Sequence, residues 1–346
     1  MTAAHSVVGR LAPSPTGALH LGNARSFLLA WLAARQAQGK IILRIEDIDS
    51  PRVKPWATTA TLEDLRWLGL NWDAGPDTVD ANSPYDIPLI QTQRLQRYRD
   101  VLDQLLKAGQ IYKCTCTRKE VAAAASAPHE TDFSALEGPI YPGTCRHAHR
   151  QPQIGQEFAY RWAFAAGLVT WRDAMYGLQS ARPREQLGDF VIGRCSADGA
   201  VTPSYQLAVT VDDFDMGITQ VVRGNDLIAS TYRQLAILEF MQWTIPDYYH
   251  VPLIVGPDGR RLAKRHGDTR LSYFREHRIH PDAVIGYLAH SLGLSTKLSC
   301  CSVTSLIGQL DWTKLPTSPT VCDIEHVLPM LQELSDGYNS NGLSAC

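Results

Sequence analysis

The sequence contains no uncharged apolar run of membrane-spanning length, and its first ten residues hold no apolar signal core. Neither a spanning helix nor a secretory leader is therefore expected, and the expected address is cytoplasmic. Positive charge is not in surplus: 33 Lys and Arg face 35 Asp and Glu, a formal net charge of -2. That excludes a protein that coats nucleic acid non-specifically, although a local basic face is compatible with it. Cysteine is sparse, eight residues at irregular spacing in a chain of 346, which excludes a disulfide framework. No internal repeat is present. What remains is ordinary globular composition, 45% hydrophobic and 20% charged, enough for a sizeable core without covalent staples. The length suits two domains, or one domain carrying an insertion.

Leu11 to Leu19 is rich in Pro, Ser, Thr and Gly and reads as a loop. It feeds a helix over Leu21–Gln38 that Gly39 stops, then a buried strand over Lys40–Glu46. Helices follow over Thr58–Leu68 and Arg94–Lys107. This alternation predicts an α/β fold with a doubly wound parallel sheet. From Cys116 to about Leu187 the pattern breaks into an alanine-rich patch, a polar stretch and short β-like pieces such as Phe158–Phe164, which reads as an insertion. Strands are expected again at Phe190–Ile192, Leu207–Val211, Ile218–Val222 and His250–Val255, with helices over Thr231–Phe240 and Pro281–Ser291. The expected division is 1–115 and 189–258 as two halves of a catalytic domain, 116–188 as the insertion, and 259–346 as a basic loop with a helical C-terminal region. The tail from Ser295 is weakly patterned.

Two segments carry chemistry. In Ala12–Asn23 (APSPTGALHLGN) the prolines pre-set a turn, while Gly17 and Gly22 let the backbone approach a ligand. His20 and Gly22 fall at the start of the following helix, where unpaired N–H groups and the helix dipole favour phosphate. Far downstream, Arg260, Arg261, Lys264 and Arg265 follow the Pro257–Gly259 turn, and this basic loop suits a polyphosphate. Each alone is matched by a plain turn; together, at the two ends of an α/β pattern, they point to a nucleotide.

The pair resembles the two signature motifs of the class I aminoacyl-tRNA synthetases, with His20-Leu21-Gly22-Asn23 as the first and Arg261-Leu262-Ala263-Lys264-Arg265 as the second. Gly9 to Gly17 (GRLAPSPTG), Arg44 to Asp49 (RIEDID) and Arg223 to Leu227 (RGNDL) narrow the resemblance to the glutamyl branch, in order over roughly residues 8–275. The resemblance implies a Rossmann-type catalytic domain that activates L-glutamate with ATP and Mg²⁺. His20 and Lys264 are the implied catalytic residues. Pro13, Ser14, Pro15, Thr16, Gly17, His20, Gly22, Asn23 and Lys264 would hold ATP. Arg10, Leu11, Ala12, Pro13, Ser14, Glu46, Tyr205 and Arg223 would hold glutamate. A small diacid needs a cation for each carboxylate, which Arg10 and Arg223 supply, and an anion for the ammonium, which Glu46 supplies. The second motif usually reads Lys-Leu-Ser-Lys; here Arg261 and Ala263 replace its first lysine and its serine. Lys264 persists, so activation is expected to persist, without the serine's hydrogen bonding.

Three of the cysteines cluster. Cys114-Thr115-Cys116 and Tyr141 to Cys145 (YPGTC) match a zinc-binding set of the glutamyl family, which implies Cys114, Cys116, Tyr141 and Cys145 as ligands. Zinc takes four donors, and His147 or His149 is an alternative to the phenol. The chain ends soon after Gly267, short of the large anticodon-gripping region of full glutamyl-tRNA synthetases. It is in that respect similar to the truncated paralogues that load glutamate onto the queuosine base of tRNA(Asp). The expected partners are glutamate, ATP and queuosine-containing tRNA(Asp), and the expected state is a monomer. The alternatives are a truncated glutamate–tRNA(Glu) ligase, a tRNA-binding paralogue with impaired catalysis, and a nucleotidyltransferase acting on another acid.

Overall fold

β1 (Val8–Leu11) and β2 (Lys40–Leu43) pair in parallel with Arg10 opposite Ile42. The chain between them forms the helix Leu21–Gln36. In the computed structural model, residues 6–48, 51–78, 87–124, 139–148, 150–262 and 266–341 are described. His20 caps that helix: its Nδ1 accepts from Gly22 N at 3.0 Å, and its own N–H donates to Asn23 Oδ1 at 3.1 Å. The reciprocal pair satisfies two of the orphan donors of the first turn and fixes where the loop ends. The helix buries Leu21, Leu28, Leu29, Trp31 and Leu32 in the principal core. Gly39 allows the return, because a Cβ there would meet Val7 O at 2.3 Å.

The antiparallel unit comes next along the chain. β3 (Ile111–Cys114), β4 (Phe158–Trp162), β7 (Val191–Cys195) and β8 (Val201–Pro203) form one sheet in the order β3-β4-β7-β8. Between β4 and β7 lie β5 (Val169–Asp173) and β6 (Gly177–Ala181), which join a different sheet, ordered β6-β5-β10-β9 with β9 at Gln220–Gly224 and β10 at Asp247–Val251. There β5, β9 and β10 run parallel, with Arg223 opposite His250. β9 approaches β1 at its start, where Thr219 N donates to Val8 O at 3.0 Å and Thr219 Oγ1 accepts from Val8 N at 2.9 Å. The interval 116–188 thus sends β4 to the antiparallel sheet and β5 and β6 to the sheet containing β9, while β3, β7 and β8 lie outside it.

Most expected elements are present with shifted ends: helices Ala57–Trp67, Leu95–Lys107, Ile228–Met241 and Pro281–Ser291, and a strand pair over His250–Val255 that divides into β10 and β11 (Ile254–Val255). One expectation is corrected. Leu207–Val211 is not a strand but part of the helix Tyr205–Asp215, capped by Ser204, whose hydroxyl accepts from Leu207 N at 3.4 Å. Leu207 to Asp213 are all buried, so the helix has no polar stripe, and an apolar run without a stripe cannot be told from a buried strand. The tail is also more ordered than its pattern predicts. β12 (Thr320–Val321) pairs with β11, and the helix Ile324–Asn341 packs Val327 and Leu331 into the principal core. No helix among the described residues is long and apolar enough to cross a membrane.

Candidate active site

The carboxyl ends of β1 and β9 lie side by side, and the helices Leu21–Gln36 and Ile228–Met241 lead away from them. In an open α/β sheet this is where a crevice opens. A cleft of about 580 Å³ lies there, with Arg10 from the end of β1, Arg223 from the end of β9, Glu46 just past β2 and Tyr205 at its own helix start in its wall. Ala12, Pro13, Ser14, Thr16, Gly17, His20, Gly22 and Asn23 line it as well. Leu11 and Pro15 are not in the wall; Leu11 lies in the core with its carbonyl accepting from Arg44 N at 2.9 Å, and Pro15 O accepts from Lys54 N at 3.0 Å.

The floor is a buried ionic cluster. Arg44, fully buried, meets Glu46 at 2.9 Å, Asp213 at 2.8 Å and Asp212 at 3.5 Å. Burial by itself would lower the Arg44 pKa, but the three carboxylates outweigh it and raise it. Asp212 also takes Arg94 at 2.7 Å and accepts from Tyr98 Oη at 2.8 Å. Arg10, 5% exposed, sets its Nε 3.6 Å from Asp213 Oδ1, an ion pair longer than a hydrogen bond, and donates through Nη1 to Val222 O at 3.1 Å. Arg223, equally buried, donates through Nε to His250 Nε2 at 3.0 Å and through Nη2 to Thr231 Oγ1 at 2.8 Å. Its Nη1 has no partner. A buried guanidinium donor left unpaired is costly unless an acceptor arrives from outside the protein. One such donor on Arg223, with the buried guanidinium of Arg10 and the carboxylate of Glu46 in the same cleft, makes a receptor for a molecule carrying both negative and positive charge.

At the other end of the cleft, a Cβ on Gly22 would come within 2.9 Å of the His20 ring, so the glycine allows the ring to lie on its own helix start. Burial, reinforced by the charge of Arg261, lowers the His20 pKa to about 4. The ring is therefore neutral near pH 7. Since Nδ1 accepts from Gly22, the proton sits on Nε2 and is available to an anion.

Ala263, Lys264 and Arg265 lie outside the described residues, as do Asp49 and His149. Of the second motif, Leu262 is buried, and Arg261 lines the cleft and pairs with Asp226 at 2.9 Å.

The thiol cluster stands on the antiparallel sheet, with no member in the cleft wall. The sulfurs of Cys114, Cys116 and Cys145 lie within 4.8 Å of one another. Tyr141 Oη stands 3.3 Å from Cys114 Sγ and 3.8 Å from Cys116 Sγ, and accepts from Cys145 N at 2.8 Å. Three thiols and a phenol oxygen converging in this way match the donor count of a tetrahedral zinc site. His147 is exposed and outside the group, so among the described residues the phenol is the fourth donor present.

Several of these side chains received no role from the sequence. Arg44 lies two residues from Glu46, the spacing that puts two side chains on one face of an extended chain, and that spacing was the available signal. Asp212 and Asp213 interrupt an apolar run, which is a signal too. Asp173, Thr231 and His250 gave none, since one polar residue in a β-like or helical run reads as an ordinary core residue.

A family model described as tRNA synthetases class I (E and Q), catalytic domain, matches residues 6–329. A Glutamyl-Q tRNA(Asp) synthetase of Rhodopirellula baltica is 44% identical over 331 residues, covering 92% of this chain and 97% of that protein. A Glutamate--tRNA ligase 1 of Acidithiobacillus ferrooxidans is 42% identical over 284 residues, covering 82% of this chain and 56% of the ligase. The crystal structure of a glutamate tRNA ligase from Elizabethkingia meningosepticum in complex with its amino acid superposes with a TM-score of 0.75 at 24% identity, over 99% of this chain and 74% of that one. That likeness shows the shared fold.

Proposed function

The chain belongs to the class I tRNA synthetases of the E and Q branch, and from that membership we propose that it is a ligase that activates L-glutamate with ATP and passes the glutamyl group to the queuosine base of tRNA(Asp). The acceptor follows the name of the Rhodopirellula baltica relative, which this chain matches over almost that protein's whole length. The observation that carries the amino-acid assignment is the placing of two buried guanidinium groups, Arg10 and Arg223, the latter with an unpartnered Nη1, in one cleft with Glu46.

In activation, an oxygen of the glutamate α-carboxylate attacks the α-phosphorus of ATP. The bond to the bridging oxygen breaks and pyrophosphate leaves with the electron pair. Such chemistry depends chiefly on positioning and charge stabilisation. Arg10 and Arg223 take the two carboxylates, Glu46 takes the ammonium, and Tyr205 and Ser14 complete the contacts. The His20 Nε2–H and the helix start at Gly22 hold the triphosphate, and Lys264 neutralises the departing pyrophosphate. Mg²⁺, when bound with ATP, would supply further neutralisation of phosphate charge. Cys114, Cys116, Tyr141 and Cys145 would hold zinc, which would supply a structural crosslink to the antiparallel sheet. The enzyme acts as a monomer in the cytoplasm.

ATP–pyrophosphate exchange, run without tRNA, tests the activation step. Exchange is expected with glutamate and not with glutamine or aspartate. Background rates with glutamate would overturn the proposal in favour of an RNA-binding paralogue without catalysis, and exchange driven only by another acid would favour a different nucleotidyltransferase.

A further inference from the structure

Arg223 is held from behind by residues that do not reach the cleft. The edge formed by its Nε and Nη2 is occupied, Nε by His250 Nε2 at 3.0 Å and Nη2 by Thr231 Oγ1 at 2.8 Å. The far side of the His250 ring is occupied as well: Nδ1 stands 2.7 Å from Asp173 Oδ2, and His250 and Asp173 are both fully buried. Asp173 is itself pinned, its Oδ1 accepting from Met175 N at 2.9 Å and Tyr176 N at 2.8 Å, and its Oδ2 from His250 N at 3.1 Å. The three residues come from adjacent parallel strands, β5, β10 and β9, so the chain of contacts runs across the sheet.

The proton positions follow from the partners. A guanidinium N–H can only donate, so His250 Nε2 must accept. Nδ1 then carries the proton and donates to Asp173. Trp171 and Tyr248 enclose the ring, with centroids at 5.6 and 6.1 Å. Burial, together with the charge of Arg223 and against the pull of Asp173, lowers the His250 pKa to about 4, which agrees with a neutral ring.

We propose that Asp173 and His250 are positioning residues for substrate recognition: by fixing the His250 tautomer they lock the guanidinium plane of Arg223, so that its unpartnered Nη1 is presented to a carboxylate of the amino acid. This rests on the reading of Arg223 as a glutamate-binding residue. A preorganised donor spends less of its binding energy on ordering itself, and an orienting partner behind a binding group is typically worth about 10–100-fold.

The test is steady-state ATP–pyrophosphate exchange on three variants of the full chain, with melting temperatures recorded alongside. His250→Phe keeps the ring packing and removes the acceptor. It is expected to raise the glutamate KM by at least about tenfold while the ATP KM stays near the wild-type value. His250→Gln restores an acceptor and is expected to recover most of the lost affinity. Asp173→Asn keeps an Oδ1 for the turn but offers an amide to Nδ1; this favours the tautomer that sets Nε2–H against the Arg223 Nε–H, and the glutamate KM should rise as in His250→Phe. If His250→Phe fails to fold, Asp173→Asn carries the same test. An unchanged glutamate KM in the folded variants overturns the proposal, as does a parallel rise in both KM values without recovery in His250→Gln. A wild-type protein inactive with glutamate overturns the underlying reading of the site and this inference with it.

Discussion

Arg44 Nη2 lies 2.9 Å from Glu46 Oε1, and Arg44 has no exposure to solvent. Through Nη1 the same guanidinium reaches Asp213 at 2.8 Å, and Asp213 stands 3.6 Å from Arg10. Glu46 and Arg10 are thus set at a fixed separation by one buried cation.

Arg44→Met removes that cation and leaves Glu46, Asp212 and Asp213 undercompensated. Breaking a buried pair from one side costs about 3–5 kcal/mol. Denaturant unfolding should show the midpoint falling by an equivalent amount with an unchanged slope. A loss below about 1 kcal/mol would mean that the cluster is not energetically coupled.

Arg10→Ala and Arg223→Ala each delete a charge-assisted contact proposed to reach the amino acid. A loss of about 2–5 kcal/mol corresponds to roughly 30- to 5,000-fold in kcat/KM for glutamate. Arg223→Lys should recover little, because an ammonium cannot reproduce the fork that engages His250 and Thr231 together. Exchange kinetics at saturating ATP measure both effects.

The legible parts of this fold and site are those with local chemistry. The Arg10–Asn23 loop could be read because prolines, glycines and a helix cap fall close together, and the four proposed zinc donors because they fall in two short clusters. Contacts made across the sheet could not be read. Asp173, Arg223 and His250 are far apart in sequence and meet only because β5, β10 and β9 are neighbours. The helix Tyr205–Asp215 was hidden for a related reason, since burial all round erases the stripe that marks a helix.

The thiol cluster is separate from the cleft. Cys145→Ser should lower bound zinc from one equivalent to well below that, as measured by metal analysis. Glutamate-dependent pyrophosphate exchange should remain within about threefold of wild type, while transfer to tRNA falls by tenfold or more, on the order of a lost orienting element. Equal loss in both assays would tie the cluster to the catalytic cleft.

His250 makes stability depend on pH. Its folded pKa, about 4, lies below the ordinary value of 6.5, so between these values the unfolded chain binds the extra proton. The contribution is complete above pH 6.5 and is lost as pH falls toward 4. At pH 5 the loss is about 2 kcal/mol relative to pH 7.5. Unfolding of wild type and His250→Phe at both pH values should show the wild type losing more by about that amount; parallel changes would place His250 in an environment that leaves it unperturbed.

Lys264→Ala should lower the rate of pyrophosphate exchange by about 10²–10³ with little change in the glutamate KM, since it removes the charge stabilisation proposed for the leaving group. A rise in glutamate KM at constant rate would assign Lys264 to amino-acid binding instead.

The proposed enzyme activates glutamate in the cleft between β1 and β9 and gives it to queuosine. The most direct measurement is charging with labelled glutamate of tRNA(Asp) containing queuosine, tRNA(Asp) lacking it, and tRNA(Glu). Label is expected on the first alone; label on tRNA(Glu) alone would contradict the proposed acceptor.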